Sequence, residues 1–460
     1  MNRDRDDGAG AGGGRGMEVA LAVAAFAVLC IVTLMVTPVL MADGYAYRAS
    51  ITAVTDGRFL TLSAAQVHAL AAQLDRCPPS AKTCQSGGKI EFWVQLPSGR
   101  WISEKDPGYP FLAAPFQLLG IIRLAPLCYG LLGCVGLFFG GRRWLGRYGG
   151  AAAVGLFCSC GAALQFAWQD YWPTFTDASL IAAGIGALLW TALADEAAAR
   201  RRTSIGLLGF LAIEAAVFVR YTNIVVLGCA VVAVLAVRWL RAASVPPGAL
   251  RWWLGSVALF GMGVAGFDDL IYGGPLRSGY RPGEVTFSLS AILPNLRHVP
   301  ADLIQTMPML VLGLIALAWI AGRRVRLTRA DGEQTGVARR DFAVALALAA
   351  SWFSVWGLYA AYTWTTQPGI AAPQAARFYL PAIGPIALLG AWLIVRAPRL
   401  ARAPRLASLA ASAAAVVAMF ALGVWSFTDM NNPQHPGSPP PRCNIGELHC
   451  HAAAPPGRQG

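Results

Sequence analysis

The chain has 460 residues, 56% of them hydrophobic and 13% charged, with a formal net charge of +13. A mean hydropathy of +0.51 and repeated apolar runs of about 20 residues exclude a soluble globular protein and point to one that crosses a membrane several times. The runs are continuous rather than alternating, so they are helices and not barrel strands, and the positive charge belongs to topology-setting loops rather than to a nucleic-acid footprint.

The first stretch, 1–16, is rich in Gly, Asp and Arg and is expected to be a disordered tail. The first apolar run, 19–41, has no small-residue cleavage motif and reads as a retained helix. Length and flanks predict about eleven spans, at 18–41, 123–141, 149–167, 177–194, 204–219, 222–238, 250–268, 306–322, 341–361, 378–396 and 406–426. The expected fold is therefore an all-α polytopic membrane protein, with a transmembrane body over 17–426. Short arginine-rich loops such as "GRRWLGR", "ARRRTS" and "RWLRAAS" put the N-terminus in the cytoplasm. The loops 43–109 and 268–308, and a Pro-rich C-terminal tail over 427–460, then fall outside.

The first external loop opens on an amphipathic helix in which Tyr47, Ile51 and Val54 share a face. A second helix starts at Ser63, where Gln66 completes a capping box and Val67, Leu70 and Leu74 form a stripe. After the loop "CPPSAKTC", the stretch "KIEFWVQLPSGRWISEKD" reads as two short strands around a Pro-Ser-Gly turn. No internal repeat is visible, which weakens transporter architectures built on inverted repeats.

Six cysteines, Cys30, Cys128, Cys134, Cys158, Cys160 and Cys229, lie in spans as small core residues. The other four, Cys77, Cys84, Cys443 and Cys450, are external and expected to form disulfides. Their pairing is open, with bridges 77–84 and 443–450 the simplest. His449 and His451 flank Cys450, but at a spacing that matches no usual zinc site.

The polar residues of interest all fall at external helix ends. Asp43 stands where the first helix leaves the membrane. Glu104, Lys105 and Asp106 bring the chain back in "SEKDPGYPFLAAPF". Asp177 opens a span in "WPTFTDAS", Arg220 occupies the turn "FVRYTN", Asp268 and Asp269 close a span in "FDDLIYGGPLRSGY", and Arg377 opens one in "QAARFYLPAIGP". Any one of these is ordinary at an interface. Together, at one depth and on one side, they offer carboxylates that accept a hydroxyl proton and arginines that hold a phosphate with paired hydrogen bonds. That suits a substrate with its lipid tail in the bilayer and its phosphate at the surface.

The same stretches, in the same order, resemble the GT-C class of membrane glycosyltransferases, which includes protein O-mannosyltransferases and lipid A aminoarabinose transferases. "DGYAYRASITAVTDGRF" is similar to the class's Asp-aromatic start of the first loop, and "KDPGYPFLAAPF" to its Lys-Pro-Pro-x-Tyr-Pro return. "FTDAS", "LIYGGPLRSGY" and "RFYLPAIGP" resemble later acidic, Tyr-Gly-Pro and Arg-Tyr-Pro segments. The chain departs from the pattern in having Gly44 after Asp43 and Asp106 after Lys105.

The resemblance implies a polyprenyl-phosphate sugar as donor and a glycan, lipid or protein hydroxyl as acceptor, with transfer that inverts the anomeric centre. Asp43 would be the general base. Asp177 would orient the acceptor or a cation. Lys105, Arg220 and Arg377 would neutralise the leaving phosphate, with Glu104, Asp106 and Tyr280 also at the substrate. No cofactor is certain, and a divalent metal stays possible. Membrane lipids, and no nucleic acid, are the other partners. Three rival readings are a lipid or polysaccharide flippase, for which Glu214 is the one mid-span acid, a non-catalytic assembly subunit, and a ligase using a lipid-pyrophosphate donor.

Overall fold

The protein is described here from a computed structural model, in which residues 11–36, 38, 42–75, 92–96, 98–194, 199–239, 248–280, 283, 285–327, 333–366, 372–400 and 405–430 are placed. Cys77, Cys84, Cys443, Cys450, His449, His451 and the tail from 431 lie outside these residues, so the expected disulfides do too.

Helices dominate. The order is α1 (Ala11–Met35), α2 (Ala42–Thr55), β1 (Thr61–Leu62), α3 (Ala64–Asp75), β2 (Trp93–Gln95), β3 (Trp101–Ser103), α4 (Gly108–Leu118), α5 (Ala125–Leu145), α6 (Gly149–Cys158) and α7 (Gly161–Ala167). There follow α8 (Thr174–Leu193), α9 (Ala199–Val219), α10 (Ile224–Trp239), α11 (Ala249–Tyr272), α12 (Ile292–Thr306), α13 (Leu310–Leu327), α14 (Glu333–Ala360), α15 (Ala372–Tyr379), α16 (Ile383–Leu400) and α17 (Arg405–Met430).

Among the described residues, 8 helices are long and apolar enough to cross a membrane, or 10 if each of two bent pairs counts as one span. The pairs are α6 with α7, bent by 63°, and the segment Leu289–Thr306 with α13, bent by 106°. The expectation of about eleven counted the run at 222–238, which is helical but belongs to a shorter apolar helix, Tyr221–Ala236.

The bundle is built around α5, α8 and α16. The apolar window of Ala372–Arg396, which includes most of α16, is 89% buried, whereas that of α11 is 6% buried, so α16 is an axis and α11 lies on the rim. Small residues let α5 and α8 approach. A Cβ added at Gly186 would lie 2.2 Å from the Gly136 carbonyl, and one at Gly136 would lie 2.6 Å from Ala183. Such seams gain dispersion contacts that lipid tails cannot match. At the end of the bundle remote from Asp43, buried Asp341 accepts the indole N–H of Trp144 (3.1 Å) and of Trp392 (3.2 Å), with Arg323 at 3.9 Å. One carboxylate thus ties α5, α13, α14 and α16.

At the opposite end, Arg123 donates to the carbonyls of Thr33 (3.4 Å), Leu34 (3.2 Å) and Val36 (2.7 Å). These are acceptors that the end of α1 leaves without helical partners. The chain then turns into α2. The expected amphipathic helix is there, and it packs on two faces. Tyr47 and Ile51 enter the main core, while Ala46, Ala49 and Ala53 pack with Leu62, Val67, Phe92 and Trp93 in a second, smaller core. The alanines are small enough for a sheet to close over them. In that sheet β3 pairs antiparallel with both β1 and β2. The β2–β3 hairpin matches the two expected strands, and β1 adds a third. The capping box forms as expected, with Ser63 N–H donating to Gln66 Oε1 (3.0 Å) and Gln66 N–H to Ser63 Oγ (3.3 Å).

Of the span cysteines, Cys134, Cys158 and Cys160 are buried as expected of core residues, Cys30 and Cys229 are half-buried, and Cys128 is exposed.

The α5–α8 seam makes a direct prediction. Gly186→Ala should lower the unfolding free energy of the detergent-solubilised protein by about 1–3 kcal/mol, the usual cost of overpacking. Gly263→Ala on α11, where an added Cβ meets nothing within 4 Å, should leave the unfolding midpoint unchanged.

Candidate active site

Each charged residue reaches the site from a helix end or a tight turn. Asp43 lies in the first turn of α2, where the unpaired N–H groups favour a negative charge. Glu104, Lys105 and Asp106 occupy the turn between β3 and α4. The Glu104 N–H donates to the Phe92 carbonyl (2.9 Å) and the Lys105 N–H to Ser103 Oγ (3.1 Å), so the sheet fixes this turn. Asp177 is in the first turn of α8, Arg220 is the extended residue that follows α9, and Arg377 is in the last turn of α15. The segment carrying Tyr280 rests on the turn at its Gly279, where a Cβ would sit 2.5 Å from Glu104 Cα.

The structure brings these distant residues into one network. Asp43 stands between two cations, with Lys105 Nζ 3.1 Å from Oδ1 and Arg377 Nη1 3.1 Å from Oδ2. Lys105 also reaches Glu104 Oε1 at 3.2 Å. Asp177 is fully buried. It accepts from Arg220 Nε (3.1 Å), Asn223 Nδ2 (3.2 Å) and the N–H of Ala178 (2.7 Å). Arg220 ties the two halves together by donating to the Arg377 carbonyl (3.1 Å) and to Thr174 Oγ1 (3.0 Å).

Aromatic rings line the cations. The Arg377 guanidinium lies 4.6 Å from the ring centre of Phe378, 5.0 Å from Trp364 and 5.1 Å from Trp172. Its Nε is buried with no acceptor. Lys105 Nζ sits 4.6 Å from the Phe92 ring and 5.3 Å from that of Tyr280. These faces attract cations and keep water away from them. The turn that carries Trp364 is held by Asn295, whose Nδ2 donates to the carbonyls of Ala360 (2.8 Å) and Tyr362 (3.0 Å).

The electrostatics follow from this arrangement. Burial works against the charge of Asp43, but Lys105 and Arg377 outweigh it and hold the carboxyl below its ordinary range. For Lys105, burial is likewise outweighed by Asp43 and Glu104, and the ammonium is held above its ordinary range. Asp106 behaves differently. Burial pushes its carboxyl up to about 7, against the pull of Arg220 and Lys105. The hydroxyls of Tyr47 and Tyr280 are pushed well up by burial.

Several site expectations are sharpened. Arg220 does not stand open to a ligand, because Asp177 and Thr174 hold it. Glu214 is not its partner but accepts from Ser256 Oγ (2.9 Å), between α9 and α11. Asp268 sits one step outside the network, accepting from the Tyr221 hydroxyl (2.9 Å). Among the described residues no group of three or more His, Cys, Asp or Glu comes together that would hold a metal. Asp43, Glu104 and Asp177 each face a cation instead. Sequence reasoning missed the three rings around Arg377 and the role of Asn223. Phe378 adjoins Arg377 and Trp172 lies near Asp177, so both were available as hints, whereas nothing local marks Trp364 or Asn223.

No family model matches the chain, and no curated protein matches it. Solved structures similar to it include the Archaeoglobus fulgidus oligosaccharyltransferase in the apo form, at 11% identity over 90% of this chain and 58% of that one, with a TM-score of 0.47. ArnT from Cupriavidus metallidurans in the apo state is similar at 15% identity over 86% of this chain and 62% of that one, with a TM-score of 0.47. The same ArnT bound to undecaprenyl phosphate matches at 16% identity over 90% and 70%, with a TM-score of 0.47. The chain spans less than two thirds of the length of the first two.

The buried Arg220–Asp177 pair can be tested by stability. Arg220→Ala strands a fully buried carboxylate and should destabilise the protein by about 3–5 kcal/mol. Adding Asp177→Asn to Arg220→Ala should recover most of that loss in chemical unfolding. An additive double variant would mean that the pair is not coupled.

Proposed function

We propose that the chain is a membrane glycosyltransferase that moves a sugar from a polyprenyl-phosphate donor to an acceptor hydroxyl, with inversion at the anomeric carbon. The observation that carries this reading is the gathering of Lys105, Arg220 and Arg377, from three separate regions of the chain, at one end of an apolar bundle. One of them keeps a buried N–H without an acceptor. A lipid phosphate at the membrane surface supplies oxygens for Lys105 and for the spare donor of Arg377, while Arg220, held by Asp177 and Thr174, bonds the Arg377 carbonyl. The ordered likeness of five segments to GT-C enzymes supports the same reading. A flippase would need a polar path through the bundle, and Glu214, its best candidate, is satisfied by Ser256.

The chemistry follows from how the charges are matched. Before substrate arrives, both oxygens of Asp43 are held by cations, which makes the carboxylate a weak base. A donor phosphate competes for Lys105 and for the unused donors of Arg377. As they turn to it, Asp43 loses positive neighbours and gains a negative one, so its affinity for a proton rises. Asp43 then takes the acceptor's hydroxyl proton while the acceptor oxygen attacks the anomeric carbon from the side opposite the phosphate. The bond between that carbon and the phosphate oxygen breaks, and the electron pair leaves on the phosphate. Asp177 acts without touching substrate, by fixing Arg220. Glu104, Asp106 and Tyr280 line the approach to Lys105. In this reading the protein sits in the cell membrane with its N-terminus in the cytoplasm, its C-terminus outside and the site on the external face.

A positioned general base contributes about 10²–10⁴-fold to rate. Asp43→Asn should therefore cut turnover at least about a hundredfold, measured as release of polyprenyl phosphate from polyprenyl-phosphate sugars by the purified protein. Asp56→Asn, at the far end of the same helical segment and paired among the described residues with Arg58 alone, should be near neutral. Wild-type turnover in Asp43→Asn would remove Asp43 as the base.

A further inference from the structure

We infer that Asp106 binds the donor phosphate in its neutral form, donating its carboxyl O–H to a phosphate oxygen and passing that proton to the phosphate as it leaves. The inference rests on the proposed transfer reaction and assigns a proton donor to its leaving group.

The first argument is charge balance. Lys105, Arg220 and Arg377 are matched by Glu104, Asp177 and Asp43, each acid within 3.2 Å of a cation. Asp106 makes no such ion pair among the described residues, although it adjoins Lys105 in the chain. A phosphodiester brings one further negative charge. With Asp106 ionised as well, the filled site would carry an excess of two negative charges in a poorly solvated place, and a proton on Asp106 removes one of them.

The second argument is position. Asp106 lines a narrow cleft together with Tyr47, Ser103, Lys105, Pro107 and Tyr272. Tyr47, only 5% exposed as a residue, forms one wall of it. Asp106 accepts the backbone N–H of Tyr221 and feels Lys105 and Arg220 without an ion pair to either among the described residues, so a carboxyl lining this cleft keeps the capacity to bond a polar ligand. The charged and titratable groups that face Asp106 are Lys105 on its own turn, Asp177 from α8, and Arg220 and Tyr221 after α9. Tyr47 faces it from α2, Tyr272 from α11, Tyr280 from the following segment and Tyr359 from α14. The tyrosines stay neutral near neutral pH, so the two cations and Asp177 set the local field. A carboxyl that burial holds near neutrality, as here, is suited to give and recover a proton in each cycle.

The step balances. The anomeric carbon–oxygen bond breaks, its electron pair goes to the phosphate oxygen, and the Asp106 proton moves to the phosphate. The acceptor's proton is taken by Asp43. Release of protonated polyprenyl phosphate leaves Asp106 ionised, and it regains a proton from water before the next donor binds.

Binding of farnesyl methyl phosphate to the purified protein tests this without the sugar being known. That diester keeps a single charge between pH 5 and 9, so any pH dependence belongs to the protein. If only the neutral form binds, affinity falls about thirtyfold between pH 6 and pH 8.5, because the fraction of neutral Asp106 falls by that factor. Asp106→Asn should bind with a flat pH profile. Calorimetric titration of the wild type at pH 8, in buffers of different ionisation heat, should show uptake of about one proton per diester. No proton uptake by the wild type overturns the inference whatever the variant does, and so does an unchanged pH slope in Asp106→Asn. If the wild type binds the diester no better than it binds farnesol at any pH, the lipid-phosphate reading itself fails.

Discussion

A carboxylate held at the end of an apolar helix has to be matched by positive charge, because water is not there to solvate it. Asp43 meets that requirement twice over, through Lys105 and Arg377, and Asp177 meets it through Arg220. These pairings are what draw the β3–α4 turn, the end of α9 and the short helix α15 to one place. Removing water from charges of this kind is costly unless geometry and further hydrogen bonds compensate. Here Asn223, Thr174 and the rings around Arg377 provide that compensation.

The remainder of the bundle holds this arrangement still. The glycines of the α5–α8 seam allow close approach, and the Asp341 clamp ties four helices at the far end. Arg123 closes the end of α1 and so sets where α2 begins. The small second core beneath α2 matters for the same reason. It joins the segment after α1 to a sheet, and that sheet orients the turn carrying Lys105. The Asp43 carboxylate is thus mounted on a packed helix, and Lys105 on a turn that the sheet holds, as precise positioning requires.

Much of this was legible in order along the chain. Apolar runs marked the helices, the Ser63–Gln66 pair marked the start of α3, and the Pro-Ser-Gly turn marked the hairpin. Polar residues at helix ends marked the cluster, because a charge beside an apolar run stands out locally. What was not legible depends on contacts between distant segments. The break before α13 falls at Pro308 and was marked locally, whereas the bend of 63° within 149–167 was not, since the run reads as one apolar stretch. The burial of α2 on two faces could not be read from Tyr47, Ile51 and Val54, since alanines look the same whether they face a sheet or a solvent. Which cation pairs with which acid is a matter of folding, and Arg220 went to Asp177 rather than standing free. Trp364 reaches Arg377 only because Asn295 shapes a turn, and no spacing in the sequence records that.

The partners of Asp43 are separated very differently along the chain, and this bears on biosynthesis. Lys105 follows in the same segment between α1 and α4, but Arg377 comes 334 residues later. At about 5–20 residues per second, roughly twenty seconds to a minute passes between the emergence of Asp43 and that of its second cation. Once Lys105 has emerged, and until Arg377 does, the nascent chain holds a carboxylate with a single counter-charge and an α2 whose final neighbours do not yet exist. Lys105 serves as the provisional partner that lets the early segments settle before the late helices arrive. A chain that stops short of α15 is left with an under-compensated acid at the membrane surface, a local defect by which an unfinished copy differs from a finished one.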